Sequence, residues 1–293
     1  MNKGNPVEIP LSFDCQGAEL YGIVHVPAEP VETGLLTVVA GGPQYRAGCG
    51  RQLLTLAREL ASQDIPVMRF DQRGVGDSTG QFLGFENLED DIRAALAAFK
   101  AAVPDLKRVV LWGGCDGASA VLLNAWKFPE VGGAILANPF VTSNQTQKIL
   151  QRKHYCKRLM QLSFWKKLFS FQYKPLDYLK SLMTKKAGQK SQASEGQAND
   201  DSLDIVKPDA AFVDRMLQGF ENFQGSVLFL MSGFSPTRRE FDEFVRSYRP
   251  WAKVYKRASN QRVDLPDADQ TFSTSSAQKT INSAAAKWIK ALS

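Results

Sequence analysis

The chain has 293 residues, of which 44% are hydrophobic, 23% charged and 10% aromatic, a composition typical of a globular protein with one large domain. Disordered and collagenous classes are excluded, and the four cysteines lie too far apart for a C-x-x-C zinc or dithiol motif. The formal net charge is +6, and only two histidines are present. We expect reduced thiols in a cytoplasmic protein without a signal peptide or a membrane span.

The first 140 residues contain alternating strand and helix patterns. Val7–Phe13 and Leu20–Val26 flank a polar turn and predict an N-terminal β-hairpin. The apolar runs that follow alternate with amphipathic segments, which predicts a mostly parallel sheet with helices on both faces. The predicted strands are Leu35–Ala40, Val67–Phe70, Arg108–Trp112 and Gly133–Asn138, and the predicted helices are Arg51–Gln63, Glu86–Ala102 and Ala118–Lys127.

This alternation stops after Pro139 and resumes about 80 residues later, which predicts an insertion. It resumes with a strand, a helix, a further strand and a terminal helix, namely Ser226–Met231, Thr237–Tyr248, Lys253–Arg257 and a segment ending near Leu292. We therefore expect a core formed by residues 1–140 and 223–293, with a helical lid inserted at residues 141–222. Residues 188–204 are rich in Gln, Ser, Gly and Asp, which predicts a flexible loop.

The basic character of the chain belongs to this insertion. Lys148–Lys190 contains twelve Lys or Arg and one acid, a local charge of +11, so the remainder of the chain carries −5. Aromatic and leucine residues interleave with these cations, a pattern that is compatible with a peripheral contact with an anionic membrane, such as a bacterial inner membrane. A lid over an anionic substrate and a simple solvated cap are the alternatives. Nucleic acid is not expected, because no reader motif accompanies the charge.

The most specific motif is a strand that runs directly into Gly113-Gly114-Cys115-Asp116-Gly117 and then into a helix. This is the nucleophile-elbow pattern G-x-nucleophile-x-G, with cysteine in the place of serine. Glycines are needed on either side because the tight turn brings the two backbones together. The helix N-terminus is expected to favour the Cys115 thiolate. The alternative is an inert buried cysteine in a glycine-rich turn.

Three motifs in chain order carry a resemblance to known proteins. They are GGPQYRAG at Gly41–Gly48, FDQRGVGDSTG at Phe70–Gly80 and WGGCDGASA at Trp112–Ala120. Together they resemble the α/β-hydrolase fold and, within it, the first of the two hydrolase families associated with the exosortase A system. Those are bacterial proteins found with exopolysaccharide and protein-sorting genes. The resemblance covers nearly the whole chain outside the insertion.

The resemblance implies roles for several residues around the elbow. Cys115 would be the nucleophile, and the backbone N–H of Asp116 would supply one oxyanion-hole donor. The second donor would come from Gly42 or Gln44, because Pro43 has no N–H. The segment around Arg73, by contrast, is interpreted as a structural turn.

The acid and the base of a catalytic triad are both missing. Where the family pattern looks like S-G-x-D, this chain has Ser232-Gly233-Phe234-Ser235, and Gln270 stands where the family has histidine. His25 is expected to be half-exposed on a strand, and His154 lies among cations of the insertion that would lower its pKa. The candidate site is therefore Cys115, with Gln270 at the base position and Ser235 near the acid position.

Two functions fit these residues. One is an ester or thioester acyl hydrolase or acyltransferase of reduced or specialised activity, acting on a small acyl or glycan-linked substrate. The alternative is a catalytically degenerate binding or assembly protein. No motif indicates a metal or an organic cofactor.

Overall fold

The computed structural model describes residues 5–39, 44–141 and 212–292. These residues form a single eight-stranded sheet. Its strands are β1 Val7–Cys15, β2 Ala18–Val26, β3 Thr33–Val38, β4 Val67–Phe70, β5 Arg108–Gly114, β6 Val131–Ala137, β7 Ser226–Phe234 and β8 Gln261–Asp269. The predicted N-terminal hairpin is present as β1 and β2, joined at Gln16 and Gly17.

The strand order β1-β2-β4-β3-β5-β6-β7-β8 decides where a site can form. β1 pairs antiparallel with β2, and β2 pairs antiparallel with β4, whereas β3 to β8 pair in parallel throughout. The carboxyl ends of these parallel strands therefore lie along one edge of the sheet. In open parallel sheets, ligand sites form at this edge.

Helices cover both faces of the sheet. They are α1 Gln52–Ala61, α2 Glu89–Ala102, α3 Asp116–Asn124, α4 Phe212–Asn222, α5 Pro236–Ser247, α6 Arg249–Tyr255 and α7 Ser275–Leu292. On one face, Leu56 of α1 and Ile289 of α7 share a buried core with Leu228 of β7. On the opposite face, Phe229 of β7 packs against aromatic rings of α4 and α5. Successive residues of β7 thus fill both cores, as the two-residue period of a strand requires.

The predicted strand at Lys253–Arg257 is wrong. This segment begins within α6, a helix that is anchored by Trp251, which is fully buried against Phe241 and Phe244. The last strand is β8, which is polar along most of its length and contains Pro266. An edge strand tolerates proline and needs few apolar residues, which is why the hydrophobic pattern does not reveal β8.

Most of the predicted insertion lies outside the described residues, including Lys148–Lys190, the loop at 188–204 and His154. Its C-terminal part, Phe212–Asn222, is helix α4, which packs against α3 so closely that a Cβ on Gly219 would lie 2.2 Å from the carbonyl oxygen of Leu122. Within the described parts of the chain, no helix combines the length and the apolar character needed to cross a bilayer.

Candidate active site

Cys115 lies at a strained elbow between β5 and α3. Its backbone angles are φ 53° and ψ −120°, a conformation that costs a non-glycine residue free energy. A Cβ on Gly113 would lie 2.4 Å from the carbonyl oxygen of Gly117, so the glycine is required by the close approach of the two backbones. The Cys115 N–H donates to Ala137 O over 2.8 Å, and its carbonyl accepts from Phe140 N–H over 3.1 Å. The end of β6 thus holds the elbow in place.

Beside Cys115 lies a cavity of about 140 Å³ at the carboxyl edge of the sheet. Its apolar lining comes from β3, α1, β5 and the loop after β8, and includes Val38, Val39, Leu53, Trp112 and Phe272. Its polar lining includes Gln44, Gln52, Gln270 and Thr271. The structure therefore brings Cys115, Gln44 and Gln270 together, as the sequence predicts. Gly42, the other candidate oxyanion donor, lies outside the described residues.

The Cys115 thiol is harder to ionise than an ordinary cysteine. Burial raises its pKa to about 11, and the neighbouring Asp116 carboxylate contributes to the rise. The backbone N–H of Asp116 and the hydroxyl of Thr237 form hydrogen bonds to the sulfur and offset part of this shift. The expectation that the helix N-terminus favours the thiolate is thus wrong for the net pKa. The cost of burying the charge is larger than the stabilisation that the helix N-terminus provides. The Asp116 N–H nevertheless lies beside the reacting sulfur, and it belongs to the residue after the nucleophile, which supplies an oxyanion donor in this fold.

Ser235 and Gln270 are in direct contact. The Ser235 hydroxyl donates a hydrogen bond to Oε1 of Gln270 and also accepts the Arg238 N–H over 3.0 Å, which caps the N-terminus of α5. The two residues predicted at the acid and base positions therefore form a pair. Neither side chain can accept a proton from a thiol at neutral pH, so this pair retains the contact of an acid–base couple without its chemistry.

Asn138 is a buried residue of the site that the sequence analysis missed. Its Nδ2 donates to Ser232 Oγ over 2.9 Å and to the carbonyl oxygen of Gln270 over 3.0 Å, while its Oδ1 accepts the Ser232 N–H over 3.0 Å. The side chain thus ties the ends of β6 and β7 to the loop after β8. The one signal that could have found it is a polar residue that ends an apolar strand immediately before Pro139.

His25 takes no part in this site. It is buried on β2, where Nε2 accepts a hydrogen bond from Nε of Arg69 over 3.0 Å, so the predicted half-exposed position is wrong. Burial and the Arg69 charge lower the pKa of His25 to about 4, which keeps the ring neutral. Two strands, β4 and β3, separate β2 from the elbow strand β5.

The charged groups of Arg73 and Asp269 make hydrogen bonds that stabilise the fold. The Arg73 guanidinium pairs with the buried Asp91 carboxylate over 2.8 and 3.0 Å, in agreement with the predicted structural turn. Asp269 accepts the N–H groups of Thr271 and Ser273, both over 3.0 Å, and hydrogen bonds from these two residues lower the pKa of its carboxyl. Within residues 5–39, 44–141 and 212–292, no cluster of three His, Cys, Asp or Glu side chains is placed to hold a metal ion.

The parallel sheet and the elbow at its carboxyl edge define an α/β-hydrolase fold. The model of the family described as serine aminopeptidase S33 matches residues 46–227, which is more than half of the chain. The chain therefore belongs to this family. The predicted α/β-hydrolase fold, with a mostly parallel sheet covered by helices on both faces, is confirmed.

Solved structures show the same fold at low sequence identity. An esterase from Pyrococcus furiosus superposes with a TM-score of 0.63 at 12% identity, covering 98% of this chain and 93% of its own. A dienelactone hydrolase from Anabaena variabilis gives 0.58 at 13% identity, with 98% and 99% covered. A serine hydrolase without a lid from Xanthomonas campestris gives 0.54 at 16% identity, with 97% and 94% covered. No curated protein gives a significant match.

Proposed function

We propose that this protein is an acyl-transfer member of its family, in which Cys115 accepts an acyl group from an ester or thioester and releases it slowly. The observation that carries the proposal is the strained Cys115 elbow beside a cavity, with the Asp116 N–H directed at the sulfur. A backbone N–H in this position stabilises the negative charge that develops on the substrate carbonyl oxygen.

The acylation step exchanges one bond for another. Sγ of Cys115 attacks the carbonyl carbon, a C–S bond forms, and the C–S or C–O bond to the leaving group breaks. The leaving group takes up a proton, and the thiol proton is lost to solvent. Because burial raises the pKa of Cys115 to about 11, roughly one molecule in 10⁴ is ionised at pH 7, which makes acylation slow.

Hydrolysis of the acyl-enzyme is expected to be slower still. It requires a water molecule that loses a proton as it attacks, and general-base assistance to such a step is worth about 10² to 10⁴ in rate. Gln270 cannot take up that proton, and its Oε1 already accepts the hydroxyl of Ser235. The acylated protein should therefore accumulate rather than turn over.

Intact-protein mass spectrometry tests the proposal. The protein is incubated at pH 9 with the hexanoyl thioester of N-acetylcysteamine, beside a Cys115→Ala variant. We expect a hexanoyl group at Cys115 in the wild type, located by peptide mapping, and none at that position in the variant, which also reports acylation of the exposed Cys49. Absence of a Cys115 adduct would overturn the proposal.

A binding or assembly protein is the second candidate function. The neutral Ser235–Gln270 pair favours it, because both side chains keep the contact of an acid–base couple while neither can transfer a proton. It predicts ligand binding in the cavity without any adduct on Cys115, so the same mass-spectrometric experiment separates the two functions.

We also propose a class of natural substrate and a location for the protein. The resemblance to the exosortase-associated hydrolases, which are found with exopolysaccharide genes, supports a small acyl or glycan-linked substrate. The charge of Lys148–Lys190 supports a peripheral contact with anionic lipid. Sedimentation with vesicles that contain or lack phosphatidylglycerol tests this contact, and binding that does not depend on anionic lipid would contradict it.

A further inference from the structure

The cavity beside Cys115 is polar but uncharged along its described lining. Three glutamines, Gln44, Gln52 and Gln270, reach it from the loop after β3, from the start of α1 and from the loop after β8. None of the described lining residues is Asp, Glu, Lys or Arg. A glutamine amide both donates and accepts hydrogen bonds without carrying charge, so this lining matches a neutral polar group.

The volume of the cavity sets how much of an acyl chain it can enclose. Its volume is about 140 Å³, and its apolar lining includes Leu53, Trp112 and Phe272. An engineered apolar cavity of about 150 Å³ in another protein binds benzene, a six-carbon ring. A chain of about six carbon-sized atoms therefore fits here, and its apolar part would contact the three large side chains.

Negative charge is disfavoured where Cys115 lines this cavity. Burial and the Asp116 carboxylate both oppose ionisation of the Cys115 sulfur. The same two causes act on a carboxylate carried into the cavity by a substrate, since it would lose its hydration without meeting a cation in the described lining.

We propose that the cavity selects short, uncharged acyl groups of about six carbon-sized atoms and rejects acyl groups that bear a carboxylate. This proposal adds a substrate class to the proposed function. The acyl chemistry in it rests on that function. The selectivity of the cavity itself does not depend on acyl transfer and can be measured without it.

Alkylation by a matched pair of reagents measures this selectivity. Iodoacetamide is neutral and iodoacetate is anionic, and each forms a carbon–sulfur bond with loss of iodide and of the thiol proton. The exposed Cys49 of the same chain is the internal reference, since it lies outside the lining of the cavity. At pH 9 we expect the ratio of iodoacetamide to iodoacetate rates to be at least tenfold larger at Cys115 than at Cys49. An equal or smaller ratio at Cys115, or no alkylation of Cys115 by either reagent, would overturn the proposal.

Protection by an unreactive ligand locates the effect in the cavity. Hexanamide should slow alkylation of Cys115 at least threefold while Cys49 reacts as before, and hexanoate at the same concentration should give no protection. Gln52→Trp, which fills the cavity from the start of α1, should abolish protection, whereas the control Gln63→Trp, beyond the end of α1 and outside the lining, should retain it. Protection by hexanoate equal to that by hexanamide would contradict the proposal.

The acyl series then tests the substrate class. Hexanoyl and succinyl thioesters of N-acetylcysteamine are compared, each rate being divided by the rate with a free peptide thiol. We expect the corrected rate at Cys115 to be at least tenfold higher for hexanoyl. Selective alkylation without any acylation would refute the proposed function and leave the selectivity of the cavity standing, whereas faster succinylation would refute the selectivity alone.

Discussion

Restoring an acid–base couple beside Cys115 is the strongest perturbation that the site allows. The change is Gln270→His together with Ser235→Asp. The wild-type side chains already form a hydrogen bond, so the new pair starts from a backbone geometry in which contact is possible. Ser235 also caps α5 by accepting the Arg238 N–H, and aspartate is an equally good N-cap, so the substitution should preserve the helix start.

The expected gain follows from the protonation states. In the wild type, burial and the Asp116 carboxylate hold the pKa of Cys115 at about 11, and none of the described residues that line the cavity is His, Asp or Glu. An imidazole, with an ordinary pKa of about 6.5, can take up the thiol proton at pH 7 and later activate water. We expect acylation at pH 7 to accelerate by about 10² to 10⁴, and hydrolytic turnover to appear.

Release of N-acetylcysteamine from the hexanoyl thioester, followed with a thiol reagent, measures this gain. Three controls are needed: Gln270→His alone, Ser235→Asp alone, and the double variant carrying Cys115→Ala. Thermal unfolding of each variant verifies that it is folded. A folded double variant that is no faster than the wild type would contradict the expected gain, as would a wild type that already turns over at the rate of the double variant.

Three further results are expected. The alkylation rate of Cys115 should rise about tenfold per pH unit between pH 7 and 10, because burial holds its pKa at about 11, whereas a peptide thiol with a pKa of about 8.5 levels off near pH 9. A plateau at Cys115 below pH 9 would contradict this. Asn138→Ala should lower the free energy of unfolding in urea by about 1–3 kcal/mol, since it leaves the Ser232 N–H without its partner; an unchanged midpoint would contradict that role. When the pH falls from 6.5 to 4, the free energy of unfolding of the wild type should drop by about 3 kcal/mol relative to that of His25→Gln. The reason is that His25 binds a proton near pH 6.5 in the unfolded chain, whereas the buried ring binds it only near its folded pKa of about 4. Parallel urea unfolding curves for the two proteins across this range would disprove it.

The sequence predicts the parts of this protein that depend on local patterns. The elbow at Cys115 is recognisable because strand, glycines and helix follow one another within a few residues. Gln270 and Ser235 are found by comparison with the pattern of the family that the sequence resembles, and the structure places them in contact. The strand β8 is missed because an edge strand needs little hydrophobic character.

Features that depend on tertiary contacts could not be predicted from the sequence alone. Asn138 joins residues that are 94 and 132 positions away, and no local pattern specifies those partners. The upward direction of the Cys115 pKa reflects burial, which overrides the local effect of the helix N-terminus. His25 is likewise buried by its pairing with Arg69, which lies 44 positions away.

The stoichiometry of thiol release at pH 9 distinguishes a Cys115 that is acylated once from one that turns over or does not react. Excess hexanoyl thioester is added to a known amount of protein, and released N-acetylcysteamine is followed over time. After subtraction of the release by Cys115→Ala, which accounts for the exposed Cys49, we predict a slow phase that ends near one equivalent per Cys115, followed by negligible further release. Continued linear release far beyond one equivalent, or release that is unchanged in Cys115→Ala, would contradict it.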